Sequence, residues 1–117
     1  MKAQITLTVA EAKALIAQAI ANLPEVHTAL ADGRILLKGG TTVAAVALLL
    51  SGESLRISGR ISPRGAKATR GTSTQAHSLL LENGKSQNID ESFGAAVGRL
   101  LPGDVVIIGA NALDSSG

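Results

Sequence analysis

The sequence predicts an α/β domain over residues 1–117: a three-layer, Rossmann-like architecture with a mostly parallel sheet, helices on both faces and one exposed strand. Three observations carry that expectation. Stretches with helical and strand periodicity alternate along most of the chain. Val105-Val-Ile-Ile108 is an unbroken β-branched run, as expected of a strand buried on both faces of a parallel sheet. Arg34-Ile-Leu-Leu-Lys-Gly-Gly-Thr-Thr-Val-Ala-Ala-Val-Ala-Leu-Leu-Leu50 reads as a short buried strand, a glycine turn and a buried helix.

Taken in order, Lys2 to Leu7 alternates loosely and suits a short strand or an extended arm. Thr8-Val-Ala-Glu11 is a capping box, in which hydroxyl and carboxylate each satisfy the other residue's backbone N–H at a helix start. Val9, Ala12, Ile16, Ala19, Ile20 and Leu23 then form one apolar stripe. Pro24 stops this helix or opens a second, since proline suits a first helical turn; Glu25 to Ala31 would add two turns, ended by Asp32-Gly33. After the central strand-turn-helix, Ser51-Gly52 supplies a C-cap. Leu55, Ile57 and Ile61 alternate with Arg56, Ser58, Arg60 and Ser62, a strand wet on one face. Residues 62–74 lack apolar periodicity and read as a long mobile loop. Leu79 to Leu81 is a buried strand, Asn83-Gly84 a type I′ turn, and Lys85 to Ile89 a strand pairing back. Asp90 is placed to cap a helix with Ile89, Phe93, Val97 and Leu100 or Leu101 as its stripe, ended by Pro102-Gly103-Asp104. Gly109 to Gly117 is a polar loop after the last strand.

Composition narrows the chemistry. Without cysteine there is no disulfide, thiolate metal site or cysteine nucleophile. His27 and His77 are far apart in sequence and have no ligand-spaced neighbour, so each reads as a surface or internally satisfied histidine, and neither a metal nor a cofactor is expected. Polar residues interrupt the N-terminal segment, which is not a signal peptide, and the longest apolar run, Val43 to Leu50, is far short of the roughly 18 residues that a membrane span needs. A cytoplasmic location is the expectation. Phe93 is the sole aromatic, which removes base stacking as a means of holding nucleic acid.

Two polar loops carry the functional expectation. Gly39 and Gly40 can bring backbone N–H groups close to a ligand, Thr41 or Thr42 has the hydroxyl of an N-cap, and a helix N-terminus favours phosphate or carboxylate. In parallel sheets ligands sit beyond the strand carboxyl ends, where both Gly39 to Thr42 and Gly109 to Asp114 would lie. Between Ser54 and Leu81 there is no acidic residue but there are Arg56, Arg60, Arg64, Lys67 and Arg70. Such one-sided charge suits a polyanionic ligand, or else a solvated loop that keeps the chain dispersed.

Together the two loops resemble those of the superfamily of ribose-5-phosphate isomerases, glucosamine-6-phosphate deaminases and coenzyme A transferases. Gly39-Gly40-Thr41-Thr42 is similar to a shortened form of the isomerases' Gly-Thr-Gly-Ser-Thr phosphate loop. Gly109-Ala110-Asn111-Ala112-Leu113-Asp114 is similar to their Gly-Ala-Asp-Glu-Val-Asp, with Gly109, Ala110 and Asp114 matching and Asn111 replacing the first aspartate. A related Gly-Ala-Asp signature closes a strand in methylthioribose-1-phosphate isomerases. The resemblance covers the N-terminal part of such a domain, so the chain is expected to be part of a longer one or a reduced relative.

The resemblance implies a sugar-phosphate isomerase or coenzyme A transferase-like domain. In it Gly39, Gly40, Thr41 and Thr42, with Gly109 and Ala110, hold the phosphorylated ligand, and Arg60, Arg64 and Lys67 cover it as a cationic flap. Asp114 would move a proton while Asn111 orients the substrate. The same loops equally suit a module that binds a phosphorylated metabolite, nucleotide or coenzyme A without catalysis. Nucleic-acid binding through residues 56–70 is disfavoured by the missing aromatics and the modest net charge of +2. Membrane association is not expected, and a homo-oligomer is compatible with all three readings.

Overall fold

The computed structural model describes residues 1–68, 74–110 and 114–116. Helix α1 spans Val9–Ala21, α2 Pro24–Asp32, α3 Thr41–Ser51 and α4 Phe93–Gly98; the strands are β1 Arg34–Lys38, β2 Gly59–Ser62, β3 Gly65–Ala68, β4 Ser78–Glu82, β5 Lys85–Asn88 and β6 Val105–Ile108. Four strands form one sheet in the order β5-β4-β1-β6, and β2-β3 is a separate hairpin. The α/β class stands, but the mostly parallel Rossmann-like sheet does not. Only β1 and β6 run parallel, with Leu36 opposite Val106 and Lys38 opposite Ile108. Both β1-β4 and β4-β5 are antiparallel.

The reason lies in how the chain returns from α3. That helix ends beside Leu81 to Lys85, at the rim where β1 begins, with Gly52 in the left-handed region at φ 73°. A parallel fourth strand would start there and climb in the sheet. Instead the described residues from 53 to 68 and from 74 to 77 lie outside that sheet, partly as the β2-β3 hairpin, and Arg56 N–H bonds Ala76 O at 2.7 Å. The chain therefore enters β4 at the far rim, with Ser78 opposite Lys38, and has to run antiparallel to β1. The stretch expected as a half-wet sheet strand and a mobile loop is thus a leg anchored by buried Leu55 and a hairpin; residues 69–73 lie outside the described ones.

Local signals explain several elements. The capping box forms in both directions, Thr8 N–H to Glu11 Oε2 at 2.7 Å and Glu11 N–H to Thr8 Oγ1 at 3.2 Å. Pro24 opens α2 at its first position. Asn83 and Gly84 take φ of 52° and 71°, the two positive values that a type I′ turn between β4 and β5 requires.

One face of the sheet carries α1, α2 and α3 around Ile35, Leu37, Val43, Val46, Leu79 and Ile107. The other face carries Leu36, Leu80 and Ile89 under the short helix α4. Fully burying each such side chain contributes about 1.5–3 kcal/mol. Four expectations of burial fail, one of them in α4, which ends at Gly98 and leaves Val97 of its expected stripe 44% exposed. Helix α1 turns the small Ala17 inward, so that its backbone closes on α3, and Val9 and Ile16 of the expected stripe are exposed. Helix α3 buries Val43, Val46 and Ala47 but leaves Leu48 and Leu49 exposed. Strand β6 pairs with β1 alone among the described residues, and Val106 and Ile108 are 49% and 61% exposed, so its apolar run belongs to an edge strand.

Candidate anion-binding site

Parallel pairing of β1 and β6 brings Gly39 and Gly109 out of adjacent strand ends at one rim of the sheet. The antiparallel start of β4 puts His77 at the same rim, and the end of β5 adds Asn88 to Asp90. An open cleft of about 830 Å³ lies here, lined by the β1-α3 turn (Gly39, Gly40, Thr41), Ser58, Gly59, the β3 segment at Lys67, Gly109, and Lys13 from α1. Among the described residues no carboxylate lines it.

The two glycines of the turn do different things. Gly39 donates its N–H to His77 O at 2.8 Å, and a Cβ at this position would run into the His77 ring and carbonyl. Glycine is therefore needed at 39 for packing, and its N–H is not available to a ligand. Gly40 is the N-cap of α3, extended at φ 171° and ψ 157°, and its carbonyl accepts from Ala44 N–H at 2.8 Å. Neither threonine is the N-cap; Thr41 and Thr42 are the first two helical residues, and no side chain caps the helix. Since a helix cannot satisfy its own first-turn N–H groups, those of α3 are left to whatever fills the rim.

Of the other residues singled out from sequence, Lys67 and Gly109 line the cleft, whereas Thr42, Arg64 and Ala110 do not. Arg64 lies in the exposed β2-β3 turn. Arg60 sits in β2 opposite Lys67, and its side chain is outside the described set. Arg70 and Asn111 also lie outside the described residues. Asp114 does not line the cleft; its carboxylate accepts from Ser116 N–H at 2.8 Å and Ser116 Oγ at 2.5 Å.

Arg56, expected in the cationic cluster, pairs with Asp90 at 3.6 Å. Asp90 in turn does not cap α4, whose N-cap is Ser92. Instead its carboxylate accepts from His77 N–H at 2.9 and 3.1 Å and from Ser78 N–H at 2.7 Å. Burial by itself would raise the Asp90 pKa, but the two N–H bonds together with the charges of Arg56 and His77 hold it below the ordinary value.

Two cleft residues, Lys13 and Ser58, and the histidine that Ser58 touches carried no usable signal in the sequence. Lys13 was off the expected stripe of α1 and reaches the cleft only because the helix is rotated onto Ala17. Ser58 and His77, 19 positions apart, meet with Ser58 Oγ 3.0 Å from His77 Nδ1 and 3.4 Å from Nε2. Lys38, next to the turn, is the cation that its position would nominate, yet its ammonium stacks 4.2 Å from the Phe93 ring centroid on the other face. Among the described residues no group of three or more His, Asp or Glu side chains is placed to hold a metal, and no helix is long and apolar enough to cross a membrane. Comparison of the chain with protein-family models, curated proteins and solved structures found no match.

Proposed function

We propose that the protein binds a phosphorylated small molecule in the rim cleft, with the phosphate at the N-terminus of α3 between Lys13 and Lys67. The single observation that carries this reading is a side-chain-uncapped helix start opening into a cleft that has two lysines and no carboxylate among its described lining. The macrodipole contributes only about 0.3–1 kcal/mol, so the affinity has to come from several contacts together. Charge-assisted hydrogen bonds contribute about 1.5–3 kcal/mol each, which places the dissociation constant for a phosphate monoester at roughly 10 µM to 1 mM.

Binding asks nothing of Asp114. Sugar-phosphate isomerisation would need a base within hydrogen-bond reach of the substrate, and Asp114, the candidate from sequence, is bonded to Ser116 and does not line the cleft. The ligand class is therefore proposed without the isomerase or transferase chemistry. Ribose 5-phosphate, coenzyme A and a mononucleotide, each run in a thermal-shift panel beside its dephosphorylated counterpart, test the proposal. Stabilisation by the phosphorylated members alone supports it, and equal response to both members of each pair contradicts it. An oligonucleotide response lost steeply with salt, with none to small molecules, would place binding on the basic segment instead.

A further inference from the structure

The four-stranded sheet has two edges, and they are finished differently. Strand β5 is Lys85-Ser-Gln-Asn88, exposed along its length, and a polar edge headed by a lysine discourages another strand from pairing with it. Strand β6 is Val105-Val-Ile-Ile108, which carries no charge, and among the described residues only β1 pairs with it. Val106 and Ile108 alternate with Ile107, which belongs to the core under α1, α2 and α3, and Val106 lies opposite Leu36 of the core under α4. Both therefore stand on the α4 face, where they are the half-exposed pair described above. The outer side of β6 thus offers an open row of backbone N–H and C=O groups next to two uncovered apolar side chains.

The chain also carries a segment with the complementary need. Residues 1–8 are exposed and form no helix or strand, and Ile5 is 76% exposed. Ala3, Ile5 and Leu7 alternate with Gln4, Thr6 and Thr8, the period of a strand with one apolar face. Laid along β6, that face would cover Val106 and Ile108 while the backbone of the segment completes the ladder. Its own β6 is not the edge it is anchored beside. The segment leads into α1, which packs mainly against α3, whereas α2 is the helix that touches β6.

We propose that residues 2–7 of a second copy of this chain add to β6 as a fifth strand, and that the exchange is reciprocal, giving a twofold dimer. Buried area separates this arrangement from direct pairing of one β6 with another. Two four-residue edges side by side bury less than the roughly 1,200 Å² of a stable interface and leave Ile5 in water, whereas two exchanged strands bring together about 1,600 Å². Charge is compatible with it: Lys2 is the only charged side chain in the segment and β6 has none, so the contact sets no like charges against each other. Ordering two flexible segments offsets part of the gain, which places the dissociation constant at about 1–50 µM.

Sedimentation of the full chain from about 1 µM to 1 mM tests the proposal, with hydrogen exchange of the backbone amides measured at both ends of that range. The expected result is a monomer that becomes a dimer as concentration rises, with amides of residues 3–7 and of β6 slowing together in the dimer. Lysine at exposed positions of the segment, in I5K/L7K, or of the edge, in I108K, should each weaken the dimer by about 100-fold. Leu48→Lys, at a comparably exposed position on α3, should leave it unchanged. If I108K loses the native circular dichroism spectrum, I108Q makes the same edge polar without a charge. A chain still monomeric at the highest concentration overturns the proposal, and slowed exchange at Ile5 and Leu7 in that monomer assigns the edge to the chain's own segment. A dimer that survives I5K/L7K or the folded Ile108 variant, or one that Leu48→Lys dissociates, also overturns it.

Discussion

The two rims of the sheet treat charge in opposite ways. At the rim where β1 and β6 begin, Arg34 bonds Glu82 at 2.7 Å and lies 3.4 Å from Asp104, and Arg99 reaches Glu82 at 3.2 Å. Asp104 also accepts the N–H groups of Arg34 and Leu101, at 2.8 and 2.7 Å. A cavity of about 430 Å³ opens here, yet each of these charges is answered by the chain itself. At the other rim Lys13 and Lys67 are in no ion pair among the described residues, and α3 starts without a side-chain cap. Charge that the fold leaves unbalanced, rather than the presence of a hollow, separates a rim built for binding from one built for stability.

That contrast can be broken from either side. The largest effect is expected from reversing both cleft lysines: K13E/K67E should lower phosphate affinity by about 100-fold, measured by calorimetry, while each surface substitution stays within about 0.5 kcal/mol in stability. Next is Gly39→Ala, which forces a methyl group into His77 and should cost about 1–3 kcal/mol in urea unfolding. Asp90→Ala strips the His77 and Ser78 N–H groups of their acceptor at a partly exposed position, for about 1 kcal/mol in the same assay, and loosens His77.

The fourth is a pH effect. The Asp104 pKa is held down first by the Leu101 N–H, against burial, then by the Arg34 N–H and guanidinium; Asp90 is held down as described above. A carboxylate with a depressed folded pKa stabilises above its ordinary value of 3.8, and that contribution is lost as pH falls through the folded value. The unfolding midpoint should therefore be flat from neutral pH down to about 5 and fall below about 4 as these two carboxylates take up protons, with a shallower fall in D104N. The smallest effect is expected from Lys38→Ala. It removes the contact with Phe93, worth about 0.5–1 kcal/mol, and leaves phosphate affinity within about twofold, because that ammonium is on the other face.

What the sequence made legible was mainly local. Thr8 with Glu11, Pro24, Gly52 and Asn83-Gly84 each determine a backbone conformation within a few residues, and each does so in the fold. The adjacency of Gly39 and Gly109 was also within reach, because it needs only that the strands before them run parallel. Strand direction at β4 was not. It depends on Leu55 and the β2-β3 hairpin lying outside the four-stranded sheet, and a buried leucine followed by a hairpin has no periodicity that announces it. Helix α1 was misread because Ile16 is more apolar than Ala17, whereas close approach to α3 favours the smaller side chain. Lys13 and Ser58 reach the cleft through that rotation and that detour, so the parts of the cleft hidden from sequence are those set by the same two tertiary choices.

The most direct test of the central claim is a phosphate titration of the isotope-labelled chain followed by amide chemical shifts. Binding at the uncapped helix start predicts saturable shifts largest at Thr41, Thr42 and Val43, extending to Gly109 and lost in K13E/K67E. Shifts centred on Arg34, Leu101 and Asp104, or none above the effect of matched ionic strength, would contradict it.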